Sequence, residues 1–211
     1  MIDMSAFATR IQEDLRKLDV LSRETEGRVK VVSQIGNPAR ELIIDLAYPT
    51  AGSSNFPNVV QQITTVKIEL LSRYPFQEPS AKITTPIYHP NVYTSGQICF
   101  GTKWLPSQGL DLLVRRIIKI ITFDESILNE ASPANGAALN WYRRVASQHP
   151  NSFPTTKLSQ EQAARKKMSW NDVSAKVVVK CVNCNASLRL PAGNSGNVTC
   201  PSCKKGFFVE T

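Results

Sequence analysis

The sequence predicts an α+β fold: an N-terminal helix, a four-stranded antiparallel meander and C-terminal helices, followed by a small module built on cysteines. Three observations carry this reading. Apolar residues first recur at helical spacing, runs of β-branched residues then alternate with turn-forming stretches, and the helical period returns afterwards. Four of the five cysteines stand as two C-x-x-C pairs near the C-terminus. A chain of 211 residues is long enough for one sizeable core plus an appendage.

Phe7, Ile11, Leu15 and Leu18 repeat at three- and four-residue spacing, which predicts an amphipathic helix over 5–22 with Arg10, Arg16 and Lys17 on its polar face. Three runs follow, Arg28–Gln34, Glu41–Tyr48 and Gln61–Leu71, separated by Gly36-Asn37-Pro38 and Gly52-Ser53-Ser54. They read as a meander. A fourth strand, Ala81–Thr85, comes after Tyr74-Pro75-Phe76-Gln77-Glu78-Pro79, whose prolines cannot donate to a central ladder and so make a rigid loop. Beyond Cys99, the apolar residues between Leu112 and Ile121 predict one helix, and Ala137–Val145, with Trp141 and Tyr142 available for packing, predicts another.

The boundaries expected are a first domain over 1–150, a linker with a short helix over 151–175 and a second domain over 176–211. The charge follows this division. Residues 1–150 hold 16 Lys and Arg against 14 Asp and Glu, whereas residues 151–211 hold 9 against 3. A basic end docks on nucleic acid, an anionic membrane surface or an acidic protein face, and charge alone does not choose among them. No run approaches the roughly 18 apolar residues of a membrane span, and the start lacks the pattern of a signal peptide. A cytoplasmic protein is therefore expected, with no membrane partner.

The stretch from Tyr88 to Phe100, YHPNVYTSGQICF, sets a lone cysteine among a histidine, a proline and an asparagine. With Tyr74-Pro75 before it and Trp104-Leu105-Pro106 after it, and with a helix, four strands and further helices in that order, the chain resembles the ubiquitin-conjugating enzyme family over roughly residues 5–148. The resemblance implies that Cys99 carries a ubiquitin-like protein as a thioester, received from an activating enzyme and passed to an acceptor amine or thiol. A thiolate suits this work because it both attacks and leaves readily at neutral pH.

In the same resemblance His89 orders the HPN turn and does not activate the thiol. Asn91 has two open roles, as a donor to the oxyanion of the tetrahedral intermediate or as a brace within its loop. Ser132, before Pro133, falls at the gate position where the family often has Asp or Ser. Serine can hydrogen-bond an incoming amine but is a poor proton acceptor. The family's first helix meets the activating enzyme, which gives Arg10, Arg16 and Lys17 a task, and Phe76 with the loop around Pro106 falls where the family meets ligases. Two departures stand out: Trp104 lies only five residues after Cys99, and Gly101 occupies a place where the family often has an acid.

The pairs Cys181/Cys184 and Cys200/Cys203 are separated by fifteen residues, the spacing of a four-thiolate zinc site. Val177–Val179 and Phe207–Val209 are short strand candidates beside them, so a zinc ribbon with structural Zn²⁺ is expected, in which metal binding supplies the stability. Two classes of function follow. One is a conjugating acyltransferase, a setting that leaves open a bacterial conjugation or defence system. The other is a non-catalytic platform of the same fold whose basic ribbon recruits nucleic acid or a protein partner.

Overall fold

The computed structural model describes residues 4–157, 176–191 and 195–210. The chain divides into two compact units, Met1–Ala163 and Ala164–Thr211.

In the first unit α1 (Met4–Glu24) precedes an antiparallel sheet of β1 (Val29–Ile35), β2 (Glu41–Leu46), β3 (Thr64–Glu69) and β4 (Ser80–Ile83), in spatial order β1-β2-β3-β4. The alternation along the strands fixes which face is covered, since neighbouring side chains point to opposite sides. Leu42, Ile44 and Leu46 pair in register with Ile68, Val66 and Thr64, and all six are buried. The intervening Glu41, Lys67 and Glu69 stay on the other face, where Lys67 Nζ lies 2.8 Å from Glu41 and 2.9 Å from Glu69. β3 is shorter than the sequence suggests, because Gln61 leaves the ladder and instead bridges Thr50.

The buried face of the sheet is closed by Phe7, Ile11, Leu18 and Leu21 of α1 and by Leu110, Leu113, Val114, Ile117, Ile120 and Ile121 of α2 (Leu110–Ile121). A second, aromatic cluster joins Phe56, Phe123, Trp141, Tyr142 and Phe153 under α3 (Gly136–Gln148). The Phe153 ring packs at a tilt against Phe123 and Tyr142, with ring centroids 4.7 Å and 4.8 Å apart. Thr155 is fully buried and hydrogen-bonds the Pro49 and Thr122 carbonyls. This corrects the reading of residue 151 onward as linker: Ser152, Phe153 and Thr155 belong to the first core. Phe153-Pro154 looked like loop punctuation because a lone aromatic carries no period, yet it supplies the plug of the cluster. Residues 158–175 of the expected linker, with its short helix, lie outside the described residues.

The second unit holds two hairpins. β5 (Lys176–Lys180) pairs with β6 (Ser187–Pro191), and β7 (Ser195–Thr199) pairs with β8 (Gly206–Glu210), both antiparallel. Among the described residues few are buried: Cys181, Leu188, Cys200 and Val209. Among the described residues, no helix is long and apolar enough to cross a membrane.

Candidate active site and metal centre

Cys99 lies in extended chain after β4, half-buried and not in a disulfide. Its amide donates to the Asn91 carbonyl at 2.8 Å, and Val92 bridges Ile98, so the HPN segment and the cysteine segment run side by side. The return between them requires Gly96. It has φ +86°, and a Cβ there would stand 2.2 Å from the Ile83 carbonyl oxygen, so any side chain would push the cysteine strand off β4.

His89 is fully buried. Its Nδ1 accepts the Asn91 amide at 2.9 Å and its ring lies 4.2 Å from the Phe123 ring. Nε2 faces the Ile120 carbonyl without hydrogen-bond geometry. Burial pushes the imidazole down to about 3, only partly offset by that carbonyl, so the ring is neutral at physiological pH. An imidazole whose Nδ1 is already accepting an amide is committed to shaping the turn.

Asn91 is also buried. Its Nδ2 donates to the Ile127 carbonyl at 2.9 Å and its Oδ1 accepts the Asn129 amide at 3.1 Å. Both ends of the side chain therefore hold the segment between α2 and α3, with one Nδ2 hydrogen left over. Asp124 caps the short 3₁₀ turn Glu125–Ile127 by accepting the Ser126 hydroxyl and amide, which lower its carboxyl. Ser132 is exposed, with its amide on Asn129 Oδ1 at 3.0 Å. A chain of bonds thus runs from His89 through Asn91 and Asn129 to Ser132.

The segment after Cys99 is tethered from α2. Arg116 donates to the Phe100 carbonyl at 2.8 Å, while its neighbour Arg115 is exposed and pairs with Glu24. Sequence reasoning passed over Arg116. No local signal marks it, since the consecutive Arg143 and Arg144 of α3 are both exposed; the Phe100 carbonyl is a partner 16 residues away.

Arg10 corrects a second expectation. It is not a free docking cation: Nε binds Asp14 Oδ2 at 2.8 Å, one terminal nitrogen donates to the Pro106 carbonyl at 2.9 Å and the other to the Gln108 carbonyl. Asp14 is completely buried and also accepts the Tyr74 hydroxyl and the Leu110 amide. A helical charge was read as solvated, but Asp14 sits at the helical spacing of the core residues Ile11 and Leu18, so it turns inward and takes Arg10 with it. Arg16 and Lys17 remain more open, both paired with Glu13. Phe76 is 69 % exposed and Leu105 is 56 % exposed, and the loops that carry them are joined where Trp104 Nε1 donates to the Pro75 carbonyl at 2.7 Å.

In the second unit the four cysteines converge, with all four sulfurs within 4.8 Å of one another. Cys181 and Cys203 Sγ are 3.8 Å apart and Cys184 and Cys200 Sγ 3.6 Å apart. A tetrahedron with metal–sulfur arms of about 2.3 Å has edges of about 3.8 Å, so the residues fit a single ion. Two equivalent turns present them. Asn185 and Lys204 both take left-handed φ, near +60°, and donate back to the Cys181 and Cys200 carbonyls at 2.8 Å. The backbone amides of Cys203 and Ser202 aim at the Cys200 sulfur and hold its thiol below the usual range, which favours the thiolate a metal needs.

Residues 60–155 match the family description "Ubiquitin-conjugating enzyme". Over these residues the first unit is similar to the ubiquitin-conjugating enzyme family. Among curated relatives, "Ubiquitin-conjugating enzyme E2 T" of Mus musculus is 31% identical over 94 residues, 44% of this chain and 46% of that protein. The Bos taurus protein of the same name is 27% identical over 123 residues, 58% of this chain and 63% of that one. The chain thus spans about half to under two thirds of the length of these relatives. The solved human ubiquitin-conjugating enzyme E2 G1 is 18% identical, with a TM-score of 0.41, 52% of this chain and 92% of that chain being covered.

Proposed function

We propose that the protein is a ubiquitin-conjugating acyltransferase in which Cys99 carries the modifier. The observation that supports this most is the placement of Cys99: half-open, in the family-matched region, with its backbone held on the HPN segment by the Asn91 carbonyl. In the first step the Cys99 thiolate attacks the thioester carbonyl presented by an activating enzyme. A new sulfur–carbon bond forms and the activating enzyme's thiolate leaves. In the second, an acceptor amine attacks the Cys99 thioester, a carbon–nitrogen bond forms as the carbon–sulfur bond breaks, and the amine's proton ends on the departing Cys99 sulfur or in solvent. Asn91 braces the loop that faces this chemistry and turns its remaining Nδ2 hydrogen to the oxyanion, while Ser132 orients the incoming amine. Phe76, Leu105 and Pro106 form the apolar surface for a ligase, and Arg16 and Lys17 are the first-helix cations that meet the activating enzyme.

The second unit holds structural Zn²⁺ through Cys181, Cys184, Cys200 and Cys203 and recruits the acceptor. Its only cysteines are the four of the cluster, so it has no thiol to spare as a carrier of its own. The test incubates the chain with activating enzyme, ATP and ubiquitin. A reductant-sensitive adduct that forms equally on a truncation ending at Lys157 supports both roles. No adduct would overturn the enzyme reading, and loss of loading in the folded truncation would overturn the recruiting role.

A further inference from the structure

Among the described residues, seven of the sixteen Lys and Arg in residues 1–150 are ion-paired, so what sets the second unit apart is the near absence of acid beside its cations. In the first unit Arg10, Arg16, Arg23, Lys67, Arg115 and Arg143 each meet a carboxylate. In the second, residues 176–211 hold five Lys and Arg and only Glu210 as an acid. Among the described residues, none of Lys180, Arg189, Lys204 and Lys205 forms an ion pair, and all four are exposed.

Register orders two of these charges. Val178 faces Arg189 and Lys180 faces Ser187 across the β5–β6 hairpin, so the four share one face. Leu188 and Leu190, on the opposite face, pack toward the cysteine cluster. The outer face therefore shows two cations around a valine that is 59 % exposed. Arg189, level with Val178 on the neighbouring strand, is the diagonal neighbour of Lys180, about 7–8 Å away, within the reach of successive phosphates on an extended strand. On the second hairpin Phe207 and Val209 turn inward while Phe208 stays 63 % exposed, a few residues after Lys204 and Lys205 in the knuckle turn.

We infer that the second unit binds single-stranded nucleic acid, with Lys180, Arg189, Lys204 and Lys205 on phosphates and Phe208 under a base. Unpaired cations beside an exposed aromatic ring match a strand that offers both regular negative charge and flat faces. An acidic protein surface would satisfy the charge but would leave the ring without a stacking partner. The inference rests on the second unit alone and needs no activating enzyme, so it stands or falls separately from the conjugating reaction.

The test uses the full, zinc-loaded chain and a fluorescein-labelled oligonucleotide of about 20 nucleotides, longer than the footprint of a small module. Anisotropy should show binding that weakens with salt at a log–log slope of about −3, as four contacts on a single strand predict. Lys180→Glu with Arg189→Glu should weaken binding at least tenfold, and Phe208→Ala severalfold with the slope unchanged. Zinc content checks that each variant is folded; if the hairpin pair loses metal, Lys204→Glu with Lys205→Glu takes its place with the same expectation. Absence of binding at low salt would overturn the inference. So would equal affinity for a labelled poly-glutamate peptide, which would assign the face to acidic proteins, or a Phe208→Ala variant that binds as tightly as the parent.

Discussion

The two units reach order by opposite routes. The first buries more than twenty apolar side chains around a sheet and two helices, and it even admits a buried ion pair because Arg10, Tyr74 and the Leu110 amide satisfy Asp14. Among its described residues the second buries a leucine, a valine and two cysteines, which is too little apolar surface to offset the entropy of ordering two hairpins. Its core is the set of four sulfurs. Stability in the first unit is thus spread over many contacts, while in the second it is concentrated in one ligand set, and the two should respond to different insults.

The largest separation is expected on removing metal. Structural zinc contributes on the order of 10 kcal/mol to the folding of such modules, so a chelator, or Cys181→Ser, should abolish protection of the β5–β8 amides in hydrogen exchange. The β1–β4 amides and the melting temperature of the first unit should stay unchanged. A shift of the first transition by more than a few degrees would show that the units are not energetically independent.

Asp14→Ala probes the first unit in the reverse sense. Removing the carboxylate leaves Arg10 and Tyr74 without their buried partner, at a cost of about 3–5 kcal/mol. The first transition should fall by roughly 10 °C while zinc content stays at one per chain. A loss under 1 kcal/mol would mean that the network is incidental to the fold.

Asn91→Ala separates bracing from catalysis within the first unit. With an oxyanion role, discharge to an amine should slow by roughly a hundredfold, about 2.7 kcal/mol, with loading much less affected. Equal losses in both steps, accompanied by faster exchange of the Asn129 amide, would leave only the brace.

The smallest effect per increment is electrostatic. His89 titrates near 3 in the folded chain against about 6.5 when unfolded, so the unfolded state binds more protons throughout that window. Stability should therefore be intact above pH 6.5 and decline by about 1.4 kcal/mol per pH unit as the pH falls from 6.5 toward 3. Urea midpoints at pH 7 and pH 4.5, compared between the parent and His89→Gln, isolate this slope. An identical pH dependence in both would contradict the neutral buried imidazole.

Much of this contrast was legible in the sequence. The spacing of Cys181, Cys184, Cys200 and Cys203 announced convergence because ligand geometry constrains neighbours in sequence, and the β-branched runs punctuated by Gly36-Asn37-Pro38 and Gly52-Ser53-Ser54 announced the sheet because such residues favour extended chain and turns. What stayed hidden depends on long-range partners. Arg10 and Asp14 look like any helical charge pair until Tyr74, Pro106 and Gln108 are brought to them. Asn91 gives no sign of Ile127 and Asn129, which lie 36 and 38 residues away. Phe153 resembles a linker residue until the aromatic cluster that it completes has formed.

The central claim is that Cys99 is the attachment point, and the direct measurement is peptide mapping by mass spectrometry of the adduct formed with activating enzyme, ATP and ubiquitin. The account predicts one modifier per chain on Cys99, released by a thiol reductant from the parent but retained as an oxygen ester on Cys99→Ser, with no such adduct on Cys99→Ala. A reductant-sensitive adduct on Cys99→Ala, or a modifier mapped to any of the four cysteines of the second unit, would contradict it.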